Sequence, residues 1–294
     1  MGLKRMKKIT GKVGFLTRIK ENSTELTGKQ VEIADYIIRH YDKAAFLTAG
    51  RLASRVGVSE STVIRFATSL GYTGYPDFQD HLQRIIREEL TSTERLQVSL
   101  DAEAEKDIFG RIFVQEIENM QGLFNRLPRA ELEAAAGAIS EADRVFVTGI
   151  RAARCLAQHF AFQLGRVHEN VVEVSSAQQE TWDFIKGGKP KDLLFAIAFP
   201  RYPRETVELV DFAISLDMQV IGLTDRMASP IARRCRPILL APVEMVTFVD
   251  LYSGPLAVLS ALVAEVAFRD EEKAFAYLQK FEDFARQMRV FHKE

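Results

Sequence analysis

The chain has 294 residues, of which 47% are hydrophobic, and a formal net charge of −1 at pH 7. This length suffices for two domains with separate cores, and the composition is that of an ordinary globular protein. The apolar runs are too short to span a bilayer, and the basic first residues precede no apolar signal region. We therefore expect a cytoplasmic protein rather than a membrane or exported one.

The charge is distributed unevenly along the chain. Residues 1 to 90 hold 15 Lys and Arg against 10 Asp and Glu, whereas the remaining residues hold 24 against 30. A basic amino-terminal part suits a domain that binds an anionic polymer such as DNA, and a solvated basic surface is the alternative. Residues 1 to 20 carry seven of these basic residues and no acid, which is typical of either an arm along the DNA backbone or a disordered extension.

The two cysteines, Cys155 and Cys235, match neither a CxxC redox pair nor a zinc-binding pattern. We interpret both as buried structural thiols, and no disulfide framework is implied.

The amino-terminal third has the periodicity of small helices. From Val31 to Tyr41 the apolar residues recur at helical spacing, and similar patterns follow. The predicted helices cover 31 to 41, 48 to 56, 59 to 70 and 77 to 89. The polar stretch 91 to 106 has weak periodicity, so we expect a linker there.

The segment TAGRLASRVGVSESTVIRFATSLG, residues 48 to 71, has the spacing of a helix-turn-helix motif. Ala53 is small where two helices cross, Gly57 can adopt the left-handed conformation of the turn, and Ser59 can cap the second helix. Val58 is expected to enter the core between them. The alternative is a three-helix packing module that contacts other proteins.

The second helix of this motif exposes short polar side chains and one arginine. Such a surface suits contacts with base edges and phosphates in a major groove, and Arg65 is the first candidate for such a contact. The predicted DNA-binding residues are Thr48, Arg51, Ser59, Glu60, Ser61, Thr62, Arg65 and Tyr72.

The run VSESTVIRFATSLGYTGYPDFQDHL, residues 58 to 82, resembles the helix-turn-helix of the RpiR family of bacterial transcriptional regulators. Members of that family join this DNA-binding domain to a carboxy-terminal sugar isomerase (SIS) domain that binds phosphosugars. The resemblance implies a regulator of a carbohydrate-metabolism operon that binds double-stranded operator DNA. The matching residues are Ser59, Thr62, Val63, Arg65, Phe66, Leu70, Gly71, Tyr72, Gly74, Tyr75 and Phe78.

The remainder of the chain alternates between apolar strands and helices, after helical patterns at 107 to 127 and 129 to 140. Nearly continuous apolar strands separated by helices indicate a parallel sheet covered on both faces, that is, a doubly wound α/β domain. The candidate strands are 144 to 149, 170 to 174, 192 to 199, 218 to 224 and 236 to 242. We thus predict a helix-turn-helix domain with a basic extension over 1 to 90, a linker over 91 to 106 and a SIS domain over 107 to 294.

Three loops of this α/β part follow strands, where doubly wound sheets bind their ligands. They are TGIRAARCLA (148 to 157), FPRYPRET (199 to 206) and LTDRMASPIA (223 to 232). Their order resembles that of a SIS domain, and the third contains the TDxxxSP-like turn of that domain, from Thr224 and Asp225 to Ser229 and Pro230.

The first two loops depart from the family pattern, which resembles GxGxS in the first loop and SxSGxT in the second. Gly149 is kept, Arg151 replaces the second glycine, and only Thr206 clearly remains of the second motif. Arginine side chains supply charge instead, which predicts an anionic effector, a sugar phosphate or a related sugar acid. The predicted ligand-binding residues are Gly149, Arg151, Ala152, Ala153, Arg201, Tyr202, Arg204 and Thr206. The alternatives are that these arginines pair with acids such as Glu180 or Asp183, or that the pocket is a packing surface.

A catalytic role would require a positioned acid or base. The available groups, His159, His168, Glu173 and Glu180, stand in no recognisable catalytic motif. We predict that the chain is not an enzyme and uses no cofactor or metal, the alternative being a SIS-type sugar-phosphate isomerase with a helical accessory domain.

The last predicted helix has an apolar face that must be covered. Its residues Ala274, Leu278, Phe281, Ala285 and Met288 recur at alternating spacings of 4 and 3, with Phe275, Phe284 and Phe291 beside them. This face packs either on its own domain or on a second chain, and the second reading predicts a homodimer or homotetramer.

Overall fold

The computed structural model of the chain describes residues 26–89, 91–101, 107–174, 179–243 and 246–292. The chain divides into two compact units, Met1–Lys106 and Asp107–Glu294. The basic segment 1 to 20 lies outside the described residues. Within these ranges, no helix has both the length and the apolar character needed to cross a bilayer.

The first unit is a cluster of helices around an aromatic core. Phe66 and Phe78 are fully buried and meet edge to face, with ring centroids 5.8 Å apart. Ile33, Ile37 and Leu52 are also buried completely in the same cluster. The helices are α1 (Gly28–Arg39), α2 (Tyr41–Ala44), α3 (Ala49–Val56), α4 (Glu60–Ser69), α5 (Tyr75–Glu89) and α6 (Ser92–Asp101).

The turn between α3 and α4 has the predicted conformation. Gly57 has a φ of 80°, in the left-handed region, and its N–H donates to the carbonyl of Ala53. The side chain of Val58 is half-buried against the core. The Ser59 hydroxyl accepts a bond from the backbone N–H of Thr62 and so caps α4. The helix-turn-helix predicted from the sequence is therefore confirmed.

The stretch predicted as a linker contains α6. Its start is stabilised by a reciprocal pair of bonds: Thr91 N–H donates to Glu94 Oε2 (2.7 Å) and Glu94 N–H donates to Thr91 Oγ1 (3.3 Å). The apolar periodicity of this segment is weak, so the capping pair was the sequence signal that indicated a helix.

The second unit contains, in its described residues, a five-stranded parallel sheet in the order β2-β1-β3-β4-β5. Val145 and Val147 belong to the core on one face, whereas Phe146 belongs to the core on the other. The predicted doubly wound α/β fold is thus confirmed. The strands are β1 (Arg144–Gly149), β2 (Val171–Glu173), β3 (Asp192–Ile197), β4 (Gln219–Thr224) and β5 (Ile238–Leu240).

Helices cover both faces of this sheet and complete the two cores. The helices predicted over 107 to 127 and 129 to 140 are confirmed within a few residues. The helices of this unit are α7 (Ile108–Arg126), α8 (Arg129–Glu141), α9 (Arg154–Leu164), α10 (Gln179–Ile185), α11 (Arg204–Ser215), α12 (Ser253–Arg269) and α13 (Glu271–Met288).

The strand order decides where a ligand crevice can lie. Because β1 has β2 on one side and β3 on the other, the chain reverses its winding direction between β1 and β3. In open parallel sheets, ligands bind at the carboxyl ends of the strands at this reversal. The loops that follow β1 and β3 are those that carry Arg151 and Arg201.

Candidate DNA-binding surface and ligand crevice

Helix α4 has one buried face and one polar face. Val63, Phe66 and Ala67 are fully buried, because their spacing places them on one side of the helix. On the other side, the predicted contacts Glu60, Ser61 and Arg65 are exposed, together with Thr68, while Thr62 is half-buried. The helix therefore presents the polar surface expected of a major-groove recognition helix.

Local hydrogen bonds fix the side chains at the start of α4. The Ser59 hydroxyl lies 2.7 Å from the Thr62 hydroxyl and 2.9 Å from that of Ser61. The Arg65 Nε donates to the Ser61 carbonyl at 3.2 Å. This bond uses only Nε, so the two terminal nitrogens of the guanidinium take no part in it.

The other predicted DNA contacts differ in position. Thr48 and Arg51 are exposed at the start of α3, where the Arg51 N–H donates to the Thr48 hydroxyl. Tyr72 is 7% exposed, and its ring packs edge to face on Phe78. Tyr72 is therefore a core residue, and its prediction as a surface contact is wrong. The sequence signal for burial of Tyr72 was the glycine before it. Gly71 has a φ of 83°, in the left-handed region, and turns the chain back onto the core.

The loop after β1 is tightly built. A Cβ on Gly149 would lie 2.6 Å from the backbone oxygen of Ala153, so the position requires glycine. Arg151 has a φ of 59°, a left-handed conformation that costs a non-glycine residue about 1 to 3 kcal/mol. Its side chain is exposed, as is Ala152, whereas Ala153 is buried in the core beneath.

The loop after β3 leads into α11 with polar groups of different exposure. Arg201 is exposed, and Arg204 is paired with Glu208 one turn along the helix (2.6 Å). Thr206 is completely buried in the first turn of α11, and its hydroxyl has no hydrogen-bond partner within the described residues. An unpaired buried hydroxyl is costly, and such groups in native proteins often mark a place where a ligand or ordered water binds.

A buried polar cluster joins the second loop to the third. The Tyr202 hydroxyl donates to Asp225 Oδ1 at 2.8 Å, and the Thr224 hydroxyl donates to the same oxygen at 3.2 Å. Burial raises the pKa of Asp225, while Arg226, 3.6 Å from the carboxylate, lowers it. Tyr202 thus has a role in holding the second loop, besides its predicted role as a ligand donor.

Among the described residues, Arg151 and Arg201 have no acidic partner, whereas Arg204 pairs with Glu208 and Arg226 pairs with Asp225. Asp183, considered as such a partner, is bonded to Lys186 at 2.6 Å. The side chain of Glu180, the other candidate, lies outside what is described. Among the described residues, no carboxylate pairs with Arg151 or Arg201.

Of the four titratable groups considered as catalysts, His159, His168 and Glu173 have described side chains. His168 is buried and donates from Nε2 to the Ala142 carbonyl, while its Nδ1 accepts from the Asn170 N–H. Burial lowers the pKa of His168, which fits a neutral structural ring. His159 is half-buried on α9, and Glu173 ends β2 with one carboxylate oxygen buried. Among the described residues, no cluster of His, Cys, Asp and Glu could hold a metal.

The two cysteines differ in environment. Cys235 is buried as expected, and burial raises the pKa of its thiol to about 12. Cys155 is exposed on α9, so its prediction as a buried thiol is wrong. The helix turns this residue away from the face that carries Leu156, Ala157 and Phe160 into the core.

Helix α13 packs on its own unit with its small residues. Ala274 and Ala285 are buried, and Leu278 packs against the core. Phe275 and Phe284, beside that stripe, are 74% and 58% exposed. The predicted stripe is thus covered mainly within the unit, while its aromatic flank is open. Other large apolar residues exposed on this unit include Phe109, Phe113, Ile117, Phe124, Phe268, Met288 and Phe291.

Comparison with known protein families matches both units. The model of the helix-turn-helix domain of the rpiR family matches residues 13–89, and that of the SIS domain matches residues 138–265. The uncharacterized HTH-type transcriptional regulator YfhH of Escherichia coli (strain K12) is 28% identical over 215 residues, which are 71% of this chain and 74% of that protein.

Two solved structures resemble the chain. The sugar isomerase domain of an RpiR transcription factor from Sphaerobacter thermophilus is 27% identical, covers 60% of this chain and 99% of its own, and has a TM-score of 0.58. The Vibrio vulnificus NanR protein, solved in complex with ManNAc-6P, is 20% identical, covers 93% and 98%, and also has a TM-score of 0.58. At that identity, the second resemblance concerns the fold.

Proposed function

Because this chain belongs to the rpiR family of transcriptional regulators, with a helix-turn-helix domain followed by a SIS domain, we propose that an anionic small molecule controls its binding to operator DNA. The SIS domain senses that effector, and the operon under control belongs to carbohydrate metabolism. Sugar phosphates are the first effector class, and sugar acids or other carboxylates are the second.

One observation carries the sensing part of this proposal. The loops that flank the reversal of the sheet present Arg151 and Arg201, with exposed side chains and no acidic partner in the described residues. A guanidinium binds phosphate or carboxylate through two parallel hydrogen bonds. Two guanidinium groups at one crevice therefore favour an anionic ligand. Thr206, behind the second loop, adds a buried hydroxyl that lacks a partner among the described residues.

The choice of sugar phosphates as first class has separate support. The NanR protein, which has the same fold over most of this chain, was solved with the sugar phosphate ManNAc-6P. The arginines replace the small hydroxyl-bearing residues expected in such loops, so the class is tested together with sugar acids, which need only the charge.

A regulator without catalysis fits the site better than an enzyme. His168 is committed to structural hydrogen bonds, and neither it nor His159 lies on the loops that carry Arg151 and Arg201. The alternative, a SIS-type isomerase with a helical accessory domain, would require an acid or base free to act on a sugar. The crevice carboxylate of Asp225 accepts hydrogen bonds from the hydroxyls of Tyr202 and Thr224. A DNA-binding domain also has no role in sugar isomerisation.

The regulator acts as a homodimer or homotetramer in the bacterial cytoplasm, where its operator is. Helix-turn-helix proteins commonly read two half-sites through a dimer. The open aromatic flank of α13, around Phe275 and Phe284, supports an interface with a second copy, since large exposed apolar patches mark interaction surfaces.

The regulator and the enzyme are separated by two parallel assays on the whole chain. In the first, fragments of the source genome are incubated with the protein at moderate salt and the retained fragments are sequenced. In the second, sugar phosphates are screened for turnover. We expect a defined duplex to be retained and no substrate to be consumed; turnover without sequence-selective retention would favour the enzyme.

A further inference from the structure

A cleft of about 640 Å³ lies in the first unit beside the predicted recognition helix. One wall is formed by residues 27 to 30, at the start of α1, and the other by Ser59, Thr62 and Arg65 of α4. Helices α1 and α4 pack against each other, so the two walls are held in fixed register. Of the residues from α1, the sequence predicted none as a DNA contact.

The chemistry of the cleft is cationic. Lys29 on one wall and Arg65 on the other are exposed, and the described residues that line the space include no acid. At the start of α1, Thr27 N–H donates to Gln30 Oε1 at 2.9 Å, and at the start of α4 the Ser59 hydroxyl accepts from the Thr62 N–H. The cleft offers an anion the side-chain charges of Lys29 and Arg65.

The position of the cleft indicates which anion it meets. When the polar face of α4 lies in a major groove, the sugar-phosphate strands run along both sides of that helix. A lysine on a neighbouring element, facing the side of α4, then lies at a strand rather than at base edges. Lys29 has this placement, because it shares the cleft with Arg65 but belongs to α1.

We infer that the α1 wall of this cleft binds a backbone phosphate of the DNA through the Lys29 ammonium, while Arg65 on the opposite wall reaches a base edge. This inference rests on the proposed DNA binding and deepens it. Lys29 contributes sequence-independent affinity and register, and Arg65 contributes discrimination between sequences.

The test uses the whole chain and a labelled mixed-sequence duplex, for which no operator needs to be known. One phosphate contact contributes about 0.9 to the slope of log affinity against log salt, which corresponds to about 5-fold at 0.15 M. We expect Lys29→Gln to weaken binding by about that factor and to lower the slope by about 0.9, and Lys29→Arg to restore both. Lys43→Gln is the matched control, because Lys43 is an exposed lysine on α2, outside the cleft.

The companion variant distinguishes the two walls. Arg65→Ala is expected to weaken binding of the operator retained from the genome by about 5- to 150-fold, and binding of the mixed duplex much less, since it removes a base contact. Lys29→Gln should weaken both duplexes by the same factor.

Three outcomes would overturn the inference. The first is an unchanged salt slope for Lys29→Gln in a parent that binds DNA, which would leave the proposed function intact. The second is a control that behaves like the variant: Lys43→Gln would then lower the salt slope as much as Lys29→Gln does. The third is a parent that binds no duplex at low salt, in which case the proposed function fails and the inference with it.

Discussion

Arg201 and Arg204 are three residues apart but differ in what their guanidinium groups contact. Arg204 forms an ion pair with Glu208 at the surface of α11, whereas Arg201 has no acidic partner among the described residues. The spacing of four between Arg204 and Glu208 was visible in the sequence and indicates such a pair. Arg201 is therefore the stronger candidate for the effector, with Arg151 across the crevice.

Replacement of Arg201 by alanine should weaken binding of the effector by about 10- to 150-fold, because a charge-assisted hydrogen bond contributes about 1.5 to 3 kcal/mol. Arg201→Lys should recover part of that loss, since it keeps the charge without the planar fork. Affinity is measured for the sugar phosphate or sugar acid that most raises the melting temperature of the parent. Arg129→Ala, which removes an exposed arginine paired with Glu133 outside the crevice, is the control. Equal affinity of Arg201→Ala and parent would remove Arg201 from the site.

The Thr206 hydroxyl provides a second test of the effector site. Its buried hydroxyl has no described partner, so Thr206→Val should leave the effector-free protein as stable as the parent or stabilise it by about 1 kcal/mol. The same variant should bind the effector more weakly. Thr148→Val is the matched control: that buried hydroxyl donates to the Val174 carbonyl at 3.0 Å, and its loss should destabilise the fold by about 1 to 3 kcal/mol. Chemical denaturation measures both. A Thr206→Val variant that unfolds as readily as Thr148→Val would show that the hydroxyl has a structural partner.

At the scale of elements, the turn between α3 and α4 sets the orientation of the recognition helix. Gly57 adopts φ 80° there, and the Gly57 and Val58 N–H groups both donate to the Ala53 carbonyl. The turn thus ends one helix and starts the next within three residues, which a side chain at Gly57 would disturb through the backbone conformation rather than through a clash.

Gly57→Val should destabilise this unit by about 1 to 3 kcal/mol, because a β-branched residue fits the left-handed region poorly. Gly28→Val is the control, since Gly28 has equally open space but no positive φ. Amide hydrogen exchange within α3 and α4 of the whole chain measures the local effect. Unchanged protection in Gly57→Val would contradict the account of this turn.

The sequence predicted the secondary structure well where one physical signal dominates. The strands β1, β3 and β4 are nearly continuous apolar runs, and their predicted bounds differ from the observed ones by at most two residues. The periodicity did not reveal a helix where signals compete: the polar segment predicted as a linker contains α6, which begins with the capping pair of Thr91 and Glu94.

The site was predictable to a smaller extent. The sequence indicated which loops follow strands, and Arg151 at a glycine position of the family pattern was a sign of its left-handed conformation. It contained no sign that Tyr202 bonds to Asp225, 23 residues away. That contact depends on how the sheet aligns the loops. The cleft at Lys29 was missed for the same reason, because only packing of α1 on α4 brings its walls together.

At the scale of the whole molecule, the surface of the SIS domain favours assembly. Phe275 and Phe284 are exposed beside the packed stripe of α13. Burial of each such side chain at an interface would contribute about 1.5 to 3 kcal/mol to the free energy of association. We therefore expect the chain in solution to have at least twice its 33.2 kDa mass.

The double variant Phe275→Ser, Phe284→Ser should shift that assembly toward the monomer, as measured by light scattering across a concentration series. Phe184→Ser is the control, because this exposed phenylalanine lies on α10, which packs on the opposite face of the sheet. A parent that is monomeric at all concentrations, or a double variant with the mass of the parent, would exclude this interface.

We propose that anion binding at the arginine loops changes the affinity of the protein for DNA. The affinity of the whole chain for its retained operator duplex is measured by fluorescence anisotropy with and without the anion found in the melting screen, for the parent and for Arg201→Ala. We predict that the anion changes the operator affinity of the parent by about 5- to 150-fold and leaves that of Arg201→Ala nearly unchanged, while the two proteins bind the operator equally without it. An anion that binds the parent but does not alter its operator affinity, or that alters the affinity of Arg201→Ala to the same extent, would contradict the account.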